Sequence, residues 1–431
     1  MMRIMLGGLL SLALLAGCSG ADDPAAAVAA APGELQVVDW PLPGAVPGTS
    51  AADLTLSHAG TIMLSWIDMQ PGRRHSFRYS TWDTGQQRWT RAPMTIAIGN
   101  RMFVNWADTP HIAASLDGAI WAHWLQKSGE APSAYDIALV RSPDGANWSP
   151  PLVPHDDGTR TEHGFASLWP HGTDLLGIAW LDGRATAGGG HAGHETHDPA
   201  GHAGGGAMAL RAALVDPAQR LVLESVIDTR VCDCCPTSVA LTSRGPLLFY
   251  RGRSPDEIRD VLVSRLEGNV WTAPRRVHAD DWRVQGCPVN GPSAAGHGHA
   301  VVAAWYTQGG GEPELRMAHS ADAGDSFDPP QVLDSGGNVL GRVAVALDGH
   351  QAAALWLREE AQGQSLWYAR FTPDLSRELG RQQVASLQAR GHASGFPRLV
   401  LHAGIAHAVW TDVVDGRPQL RGARLLPPQG G

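Results

Sequence analysis

The 431-residue chain is short of several residue types that mark common classes of protein. It has one lysine, Lys127, a formal net charge of −9 and no long basic run, which argues against nucleic acid as a partner. No segment beyond the N-terminus is apolar enough to span a bilayer. Long helical patterns are scarce as well, whereas 51 glycines and 16 tryptophans are typical of many short strands joined by tight turns.

Cysteine is also rare, and the first of the five cysteines marks how the chain begins. Arg3 precedes the apolar run "LGGLLSLALLAG", which leads to Cys18 and is too short for a membrane span. The four residues "LAGC" resemble the bacterial lipobox. That resemblance implies a lipoprotein signal peptide over residues 1–17 and acylation of Cys18, and Ser19 implies sorting to the outer membrane.

One pattern recurs seven times in residues 34–427, after an Ala-, Pro- and Gly-rich stretch (18–33) that predicts a flexible, lipid-anchored tether. Each copy has an apolar alternating strand, a glycine-centred turn and a second apolar strand that ends in an aromatic residue. The seven aromatic residues are Trp66, Trp124, Trp180, Tyr250, Trp305, Trp356 and Trp410. Period-2 alternation broken by glycine turns predicts β-hairpins.

A second hairpin follows these aromatic residues, most clearly in "ALVRSPDGANWSPP" (138–151) and "RMAHSADAGDSFDPP" (316–330). A repeat of four strands is a propeller blade, so the chain is predicted to be all-β, a β-propeller of seven four-stranded blades, with six blades as the alternative. The last repeat lacks a fourth strand, whereas "ELQVVDW" (34–40) belongs to no blade. This early strand is predicted to complete the last blade and remove a free edge.

The strings "SPDGANW" and "SADAGDSF" resemble the Asp-box of sialidase-like, BNR-repeat propellers. The resemblance implies a structural role in the turn between the third and fourth strands, where Ser and Asp cap the turn and an aromatic ring packs under the sheet. The residues at these positions are Ser142, Asp144, Trp148, Ser320, Asp322 and Phe327. Asp-boxes specify the fold well and the function poorly.

The same resemblance implies, for a true sialidase, three arginines that hold a carboxylate and a Tyr–Glu nucleophile pair. Arg184, Arg253 and Arg342 lie at blade ends and are candidates for carboxylate binding. The Arg-Ile-Pro motif that usually precedes the first Asp-box is missing, and Tyr250 stands where other repeats have Trp. We therefore assign no catalytic residue and keep a sialidase-type glycoside hydrolase as an alternative.

Propeller topology places the loops that lead into the innermost strands, together with the turns between second and third strands, on one face of the ring. We call these loops the axial loops and this face the axial face. The axial loops are residues 99–110, 157–165, 228–236, 280–288, 335–341 and 389–396. This face is the predicted binding site.

The remaining cysteines lie in two axial loops of adjacent blades, in "VCDCCPTS" and "GCPVNGPS". They are Cys232, Cys234, Cys235 and Cys287. In an oxidising envelope the C-x-x-C pair is predicted to be bridged, and Cys287 to be joined to Cys234 or Cys235 across the blades. A soft thiolate site for copper or zinc is the second hypothesis, with His163 and His392 as further candidate ligands, and a reactive thiol is the third.

An insertion, "RATAGGGHAGHETHDPAGHAGGGAM" (184–208), belongs to the same face. Its spacing is H-x2-H-x2-H-x4-H, and the histidines are His191, His194, His197 and His202. Neutral imidazoles bind Cu(II), Ni(II) or Zn(II), so the insertion is a candidate metal site. Glycine does not preorganise ligands, so a weak, exchangeable site and a merely solvated loop are both consistent with the sequence.

Together these features predict an outer-membrane-anchored, sialidase-like propeller lipoprotein whose Cys/His-rich axial face binds a transition metal, copper or zinc. The expected partners are the membrane, through the lipid on Cys18, and a metal ion or a glycan or protein ligand on the axial face. The alternatives are an exo-sialidase-type glycoside hydrolase and a non-catalytic envelope binding or assembly module.

Overall fold

The computed structural model describes residues 35–70, 74–187 and 206–428. These residues form thirty β-strands and one short 3-10 helix, Arg184–Thr186. The strands make seven antiparallel sheets, so the predicted seven-bladed propeller is confirmed. Among the described residues, no helix is long and apolar enough to cross a bilayer.

The first three blades follow one another along the chain after a short leading strand, β1 (Gln36–Asp39). Blade 1 contains β2 (Thr49–Leu56), β3 (Thr61–Met69), β4 (His75–Asp83), β5 (Arg88–Trp89) and β6 (Met94–Gly99). Blade 2 contains β7 (Met102–Phe103), β8 (His111–Ala114), β9 (Ile120–Lys127) and β10 (Tyr135–Ser142). Blade 3 contains β11 (His163–His171), β12 (Leu175–Asp182), β13 (Ala209–Val215) and β14 (Leu221–Asp228).

The remaining four blades repeat this order. Blade 4 contains β15 (Ser238–Thr242), β16 (Gly245–Arg251), β17 (Val261–Glu267), β18 (Val270–Trp271) and β19 (Arg275–Arg276). Blade 5 contains β20 (Ser293–His297), β21 (Ala300–Thr307), β22 (Glu314–Ser320) and β23 (Gln331–Ser335). Blade 6 contains β24 (Ala344–Leu347), β25 (Ala352–Glu360), β26 (Gly363–Phe371) and β27 (Glu378–Leu387), and blade 7 contains β28 (Arg398–His402), β29 (Ile405–Val414) and β30 (Arg417–Leu426).

Position within a blade decides the hydrophobic pattern of a strand. The second strand is covered on both sides by neighbouring blades, and seven of the eight residues of β12 are buried. The outermost strand has one face in water, and β14 alternates between half-buried and exposed residues over most of its length. A buried strand is therefore a continuous apolar run and an outer strand an alternating one, as the side-chain period of two requires.

The leading strand closes the ring. β1 pairs antiparallel with β30, from Gln36 opposite Leu426 to Asp39 opposite Ala423, and so provides the fourth strand of blade 7. This confirms the prediction for residues 34–40. Trp40 then packs between blades 7 and 1, where its ring meets Trp82 edge-on at 5.4 Å.

Buried indoles of four second strands make a recurring polar contact near the axial face. Each indole Nε1–H donates to a carboxylate that also pairs with an arginine. The four donor–acceptor pairs are Trp66 with Asp68, Trp180 with Asp182, Trp305 with Asp280 and Trp356 with Asp334, at 2.6–2.9 Å. These contacts give the blade-end tryptophans a scaffold role, because each satisfies a buried N–H and a buried carboxylate at once.

Candidate functional site

Residues from six blades line a cavity on the propeller axis. Lining residues from blades 2 to 7 include Thr109, Phe165, Thr237, Ser293, Val343 and Arg398. The cavity has a volume of about 70 Å³, room for a few water molecules. The axial loops therefore meet around the axis as the repeat pattern predicts, and they leave little space between them.

Two residues that line this cavity, His111 and Arg398, contact Asp53 of blade 1. Asp53 Oδ1 lies 3.0 Å from His111 Nδ1, and the Asp53 carboxylate also accepts a hydrogen bond from the backbone N–H of Ile112 at 3.0 Å. Burial opposes ionisation of Asp53, but His111 and Arg398 outweigh it and lower the pKa of this carboxyl to about 2. The Asp53 carboxyl is therefore an anion at neutral pH, and His111 and Arg398 of the protein itself interact with its negative charge.

The structure brings the four cysteines of blades 4 and 5 together. Their Sγ atoms all lie within 4.8 Å of one another. The pairing is Cys232 with Cys235 and Cys234 with Cys287, with Cα–Cα distances of 5.7 Å and 6.1 Å. Three of the cysteines are only 1% exposed, whereas Cys287 is half-buried. We call this group the cysteine cluster, and its pairing is the predicted one, with Cys234 as the cross-blade partner.

Two features bring the loops of blades 4 and 5 close enough to form the cysteine cluster. A Cβ built on Gly291 would lie 1.9 Å from the Pro236 carbonyl oxygen, so only glycine allows this approach. The buried Arg251 side chain donates to the carbonyl oxygen of Asn290 at 2.8 Å and to that of Tyr306 at 2.7 Å, which ties blade 4 to blade 5. The backbone N–H of Cys232 donates to the Arg251 carbonyl oxygen at 3.0 Å.

A salt-bridge network lies beside the cysteine cluster and includes Asp233 of the same loop. Arg253 donates to Asp233, which lies between two of the cysteines, at 3.0 Å and to Glu257 at 3.0 Å. Glu257 also accepts from Arg259 at 2.7 Å. Arg253, a candidate for binding a substrate carboxylate, is therefore bonded to two carboxylates of the protein itself.

The other predicted ligands do not join the sulfurs. His392 stacks on Trp106 with the ring centroids 4.1 Å apart, and Trp106 packs against the hydrophobic cluster that contains the cysteines. His163 belongs to a separate group in blade 3. Cys18 and the four histidines His191, His194, His197 and His202 lie outside the described residues.

A second group of polar side chains surrounds His163, where blades 2 and 3 meet. His163 Nε2 lies 2.9 Å from Asp157 Oδ2, and Nδ1 lies 3.7 Å from Asp136 Oδ1. His155 stacks on His163 with the centroids 3.8 Å apart and the rings 1° from parallel. Burial, followed by the nearby His163, lowers the pKa of His155 to about 3, so His155 is neutral at physiological pH. No motif or spacing in the sequence indicated that Asp136 lies beside His163.

Arg184 and Arg342, the other candidates for carboxylate binding, have partners of their own. Arg184 Nε lies 2.7 Å from Asp182 Oδ1. Arg342 is 6% exposed, donates to the Gly391 carbonyl oxygen at 2.7 Å and lies over the Trp106 ring at 4.7 Å. Because they stand in blades 3 and 6 and their guanidinium groups already bind the protein, they do not form a ready carboxylate site with Arg253.

Tyr250 and Tyr135, whose hydroxyls donate hydrogen bonds to carboxylates, are both inaccessible to solvent. Tyr250 is fully buried and its hydroxyl donates to Asp228 at 2.8 Å rather than to Glu257. Sequence reasoning missed a Tyr–Glu contact between Tyr135 and Glu162 at 2.6 Å, which spans blades 2 and 3. Tyr135 is 1% exposed, and burial followed by its carboxylate neighbours raises the pKa of its hydroxyl well above the usual range. Such a phenol is a hydrogen-bond donor and not a nucleophile.

The turns that resemble Asp-boxes lie on the face opposite the axial face. Asp144 accepts hydrogen bonds from the backbone N–H groups of Ala146 and Asn147, both at 2.8 Å. Asp322 accepts from Ser320 Oγ at 2.7 Å. The rings of Trp148 and Phe327 are half-buried, and each packs against a separate hydrophobic cluster of the propeller.

Comparisons with known proteins give similarity of fold alone. No family profile and no curated protein matches the chain. A Dyadobacter fermentans protein of unknown function is 13% identical over 92% of this chain and 99% of its own, with a TM-score of 0.46. The GH93 α-L-arabinofuranosidase of Fusarium graminearum is 10% identical over 90% of this chain and 96% of its own, with a TM-score of 0.45. Trypanosoma rangeli sialidase is 12% identical over 73% of this chain and 54% of its own, with a TM-score of 0.42.

Proposed function

We propose that the protein is an outer-membrane lipoprotein, anchored through Cys18, whose cysteine cluster binds one soft transition-metal ion when the thiols are reduced. Copper(I) is the first candidate and zinc(II) the second. One observation carries the proposal: four Sγ atoms from two blades lie within 4.8 Å of one another at the axial face. Soft thiolate ligands select these two metals.

The spacing of the sulfurs fits both a pair of disulfides and a metal site. Four sulfurs at about 2.3 Å from a tetrahedral zinc ion lie roughly 3.8 Å apart. The Cα–Cα distances of 5.7 Å and 6.1 Å also lie in the range that disulfides adopt. The same four cysteines can therefore form two disulfides or, when reduced, hold one metal ion. An external disulfide oxidant that removes four electrons from the four thiolates would form both disulfides and release the metal, and an external dithiol reductant would restore the site.

The cysteine cluster lies at the junction of blades 4 and 5, together with a buried arginine and apolar side chains. Arg251 is 1% exposed and binds carbonyl oxygens, and none of the described carboxylates forms a salt bridge with it. Its charge is partly balanced by the carboxylates of Asp280 and Asp260, and the remainder would favour negative sulfurs at this junction. Val231, Met208 and Val289 pack against the cysteines and reduce access of water.

The test is a comparison of metal content and thiol count. The full chain, produced in the periplasm, would be reduced under argon, freed of metal and given one equivalent of buffered copper(I) or zinc(II). We expect one metal ion per chain and protection of four thiols from alkylation. The Cys234→Ser/Cys287→Ser variant should lose both, whereas a variant without residues 188–206 should keep both.

Two results would contradict the proposal. The first is a reduced, folded chain whose four thiols react equally fast with and without metal. The second is metal uptake that disappears with residues 188–206 and is unaffected in the double cysteine variant, because the histidines alone would then bind the ion. Circular dichroism on each variant shows whether the propeller remains folded.

A further inference from the structure

A separate polar site lies where blades 2 and 3 meet, on the axial face. Asp136 is the second residue of β10, and His163 is the first residue of β11. The backbone N–H of Tyr135 donates to the Thr161 carbonyl oxygen at 3.3 Å, which fixes the distance between the two strands. Ser128 belongs to the loop that connects β9 to β10. Three backbone segments from two blades therefore position three polar side chains.

The hydrogen bond from His163 to Asp157 sets the tautomer of the ring. His163 Nε2 lies 2.9 Å from Asp157 Oδ2, and an ionised carboxylate only accepts, so Nε2 carries the proton. Asp157 is held in place by the backbone N–H of Thr159 at 2.8 Å and by Arg184 at 3.3 Å. In the neutral ring, the form that binds a metal, Nδ1 then has a free lone pair. A carboxylate behind a histidine in this way orients the ring for metal binding.

The lone pair of His163 points at another acceptor. Nδ1 lies 3.7 Å from Asp136 Oδ1, which is too far for a hydrogen bond. Both atoms are buried, and within the described part of the chain neither meets the geometry of a hydrogen bond with another group. The hydroxyl of Ser128 lies beside Asp136 and can donate to its carboxylate. His163 itself is 0% exposed. Buried acceptors that face each other are costly unless a proton or a metal cation lies between them.

We propose that Asp136 Oδ1 and His163 Nδ1 bind a divalent metal ion of borderline softness, represented by zinc(II), with Ser128 Oγ and water as the remaining ligands. Two ligands at about 2.1 Å from a tetrahedral ion lie roughly 3.4 Å apart. The observed 3.7 Å needs a closure of a few tenths of an ångström. Asp136 is 27% exposed, so an ion can reach the site from solvent.

The other polar groups of this region are excluded as ligands by their own contacts. His155 Nε2 accepts from the backbone N–H of Ile137 at 3.1 Å, and its ring is parallel to that of His163, so the lone pairs of the two rings do not converge. Asp182 lies on the Nε2 side of His163, where Arg184 already neutralises it at 2.7 Å. The ion therefore belongs on the Nδ1 side.

The experiment isolates this site from the two other candidate metal sites. The full chain would carry serine at the four histidines of residues 191–202 and would be kept oxidised, so that the cysteines are paired. After removal of metal with a chelator, zinc(II) would be titrated against a chromophoric competitor. We expect one zinc ion per chain, with Asp157→Asn weakening the affinity by about 10–100-fold. Asp136→Asn, which removes a ligand, should weaken it further.

The control is Asp117→Asn, the same substitution on the opposite face of the same blade, where Asp117 pairs with Arg141 at 2.9 Å. It should leave zinc affinity unchanged.

The change in Tm on addition of zinc is a second readout. Zinc should raise the Tm of the parent and of the control but not that of Asp136→Asn, and loss of folding alone does not produce this pattern. Ser128→Ala provides a milder second variant. Equal zinc affinity in the parent and Asp136→Asn, or no uptake by the parent, overturns the proposal. Because the cysteines stay oxidised, the result is independent of the thiolate site.

Discussion

The two faces of the propeller are built from the same repeat but stabilised differently. On the axial face, long loops bury charged and sulfur-containing side chains, such as Arg251 and Cys234, each 1% exposed. On the opposite face, short turns are held by exposed carboxylates such as Asp144, which accepts hydrogen bonds from the next turn residues at 2.8 Å. The difference indicates that the opposite face maintains the blades, so that the axial loops are free to carry chemistry.

Acidification should produce the largest effect, and it involves one histidine near each face. Burial, with His163, lowers the pKa of His155 to about 3, and burial, with Arg424, lowers that of His407 to about 4. The unfolded chain takes up these protons near pH 6.5, so stability is complete above that pH and falls as the pH decreases towards the folded pKa values. The two histidines together should cost roughly 5 kcal/mol at pH 4.5.

Urea unfolding at pH 7.0, 5.5 and 4.5 measures this loss. His155→Gln and His407→Gln should each flatten the pH dependence by a similar amount, which would show that both faces contribute. A wild-type chain whose unfolding midpoint is the same at all three pH values would contradict the assignment of both histidines as buried and neutral.

Loss of the cross-blade disulfide should rank second. Cys234 and Cys287 are 53 residues apart, whereas Cys232 and Cys235 are three apart. Closure of the longer loop restricts the unfolded chain more, so Cys287→Ser should cost about 2–4 kcal/mol and Cys232→Ser less. Urea midpoints without reductant test this order. Equal midpoints for Cys287→Ser and the oxidised wild type would mean that the bridge does not hold blade 4 to blade 5.

Substitution of one tryptophan near each face should have an effect of intermediate size on the free energy of unfolding. Trp305 Nε1 donates to the buried Asp280 at 2.6 Å, whereas the buried Nε1 of Trp82, near the opposite face, has no partner among the described residues. Trp→Phe removes the same volume at both positions. Trp305→Phe should therefore cost about 1–3 kcal/mol more than Trp82→Phe in chemical denaturation, because it leaves Asp280 short of a donor. Equal costs would mean that the indole contact contributes nothing beyond packing.

The smallest effect is expected in the exposed turn. Asp144→Ala removes the acceptor for the N–H groups of Asn147 and Ala146, whose hydrogen bonds hold the pKa of Asp144 well below its usual range. Its stabilising effect should be present above pH 3.8 and disappear at lower pH. Thermal unfolding at pH 7 should show a smaller decrease in Tm than for Trp305→Phe. A larger decrease in Tm for Asp144→Ala would mean that the exposed turns of the opposite face contribute more to the free energy of unfolding than the buried indole contact does.

The fold was predictable because its signals are periodic and local. Seven aromatic strand ends gave the blade number, and an unassigned strand at residues 34–40 gave the closure of the ring. The pairing of blades 4 and 5 through Cys287 followed from aligning "CCPTS" with "GCPVNGPS". These predictions require only that the repeats be aligned with one another, and the alignment can be made from the sequence alone.

The site beside His163 was not predictable, because its members are unrelated in sequence. Ser128, Asp136 and His163 come from a loop and two strands of different blades, and none belongs to a motif. Their proximity depends on how blade 3 packs against blade 2. The same holds for Tyr135 and Glu162, whose contact at 2.6 Å crosses that junction. Side-chain contacts between blades depend on the twist of the sheets and have no sequence period.

Completion of blade 7 by β1 links the first strand to the last. Gln36 pairs with Leu426, so the ring closes only after almost the whole folded sequence has been synthesised. Until residues 417–426 are available, the edge of β1 has no partner strand, and blades 1 and 7 cannot lock together. Closure is thus a contact of very long sequence separation, the kind that slows folding. For a chain that folds from its N-terminus onwards, this arrangement makes closure of the ring one of the last steps of folding.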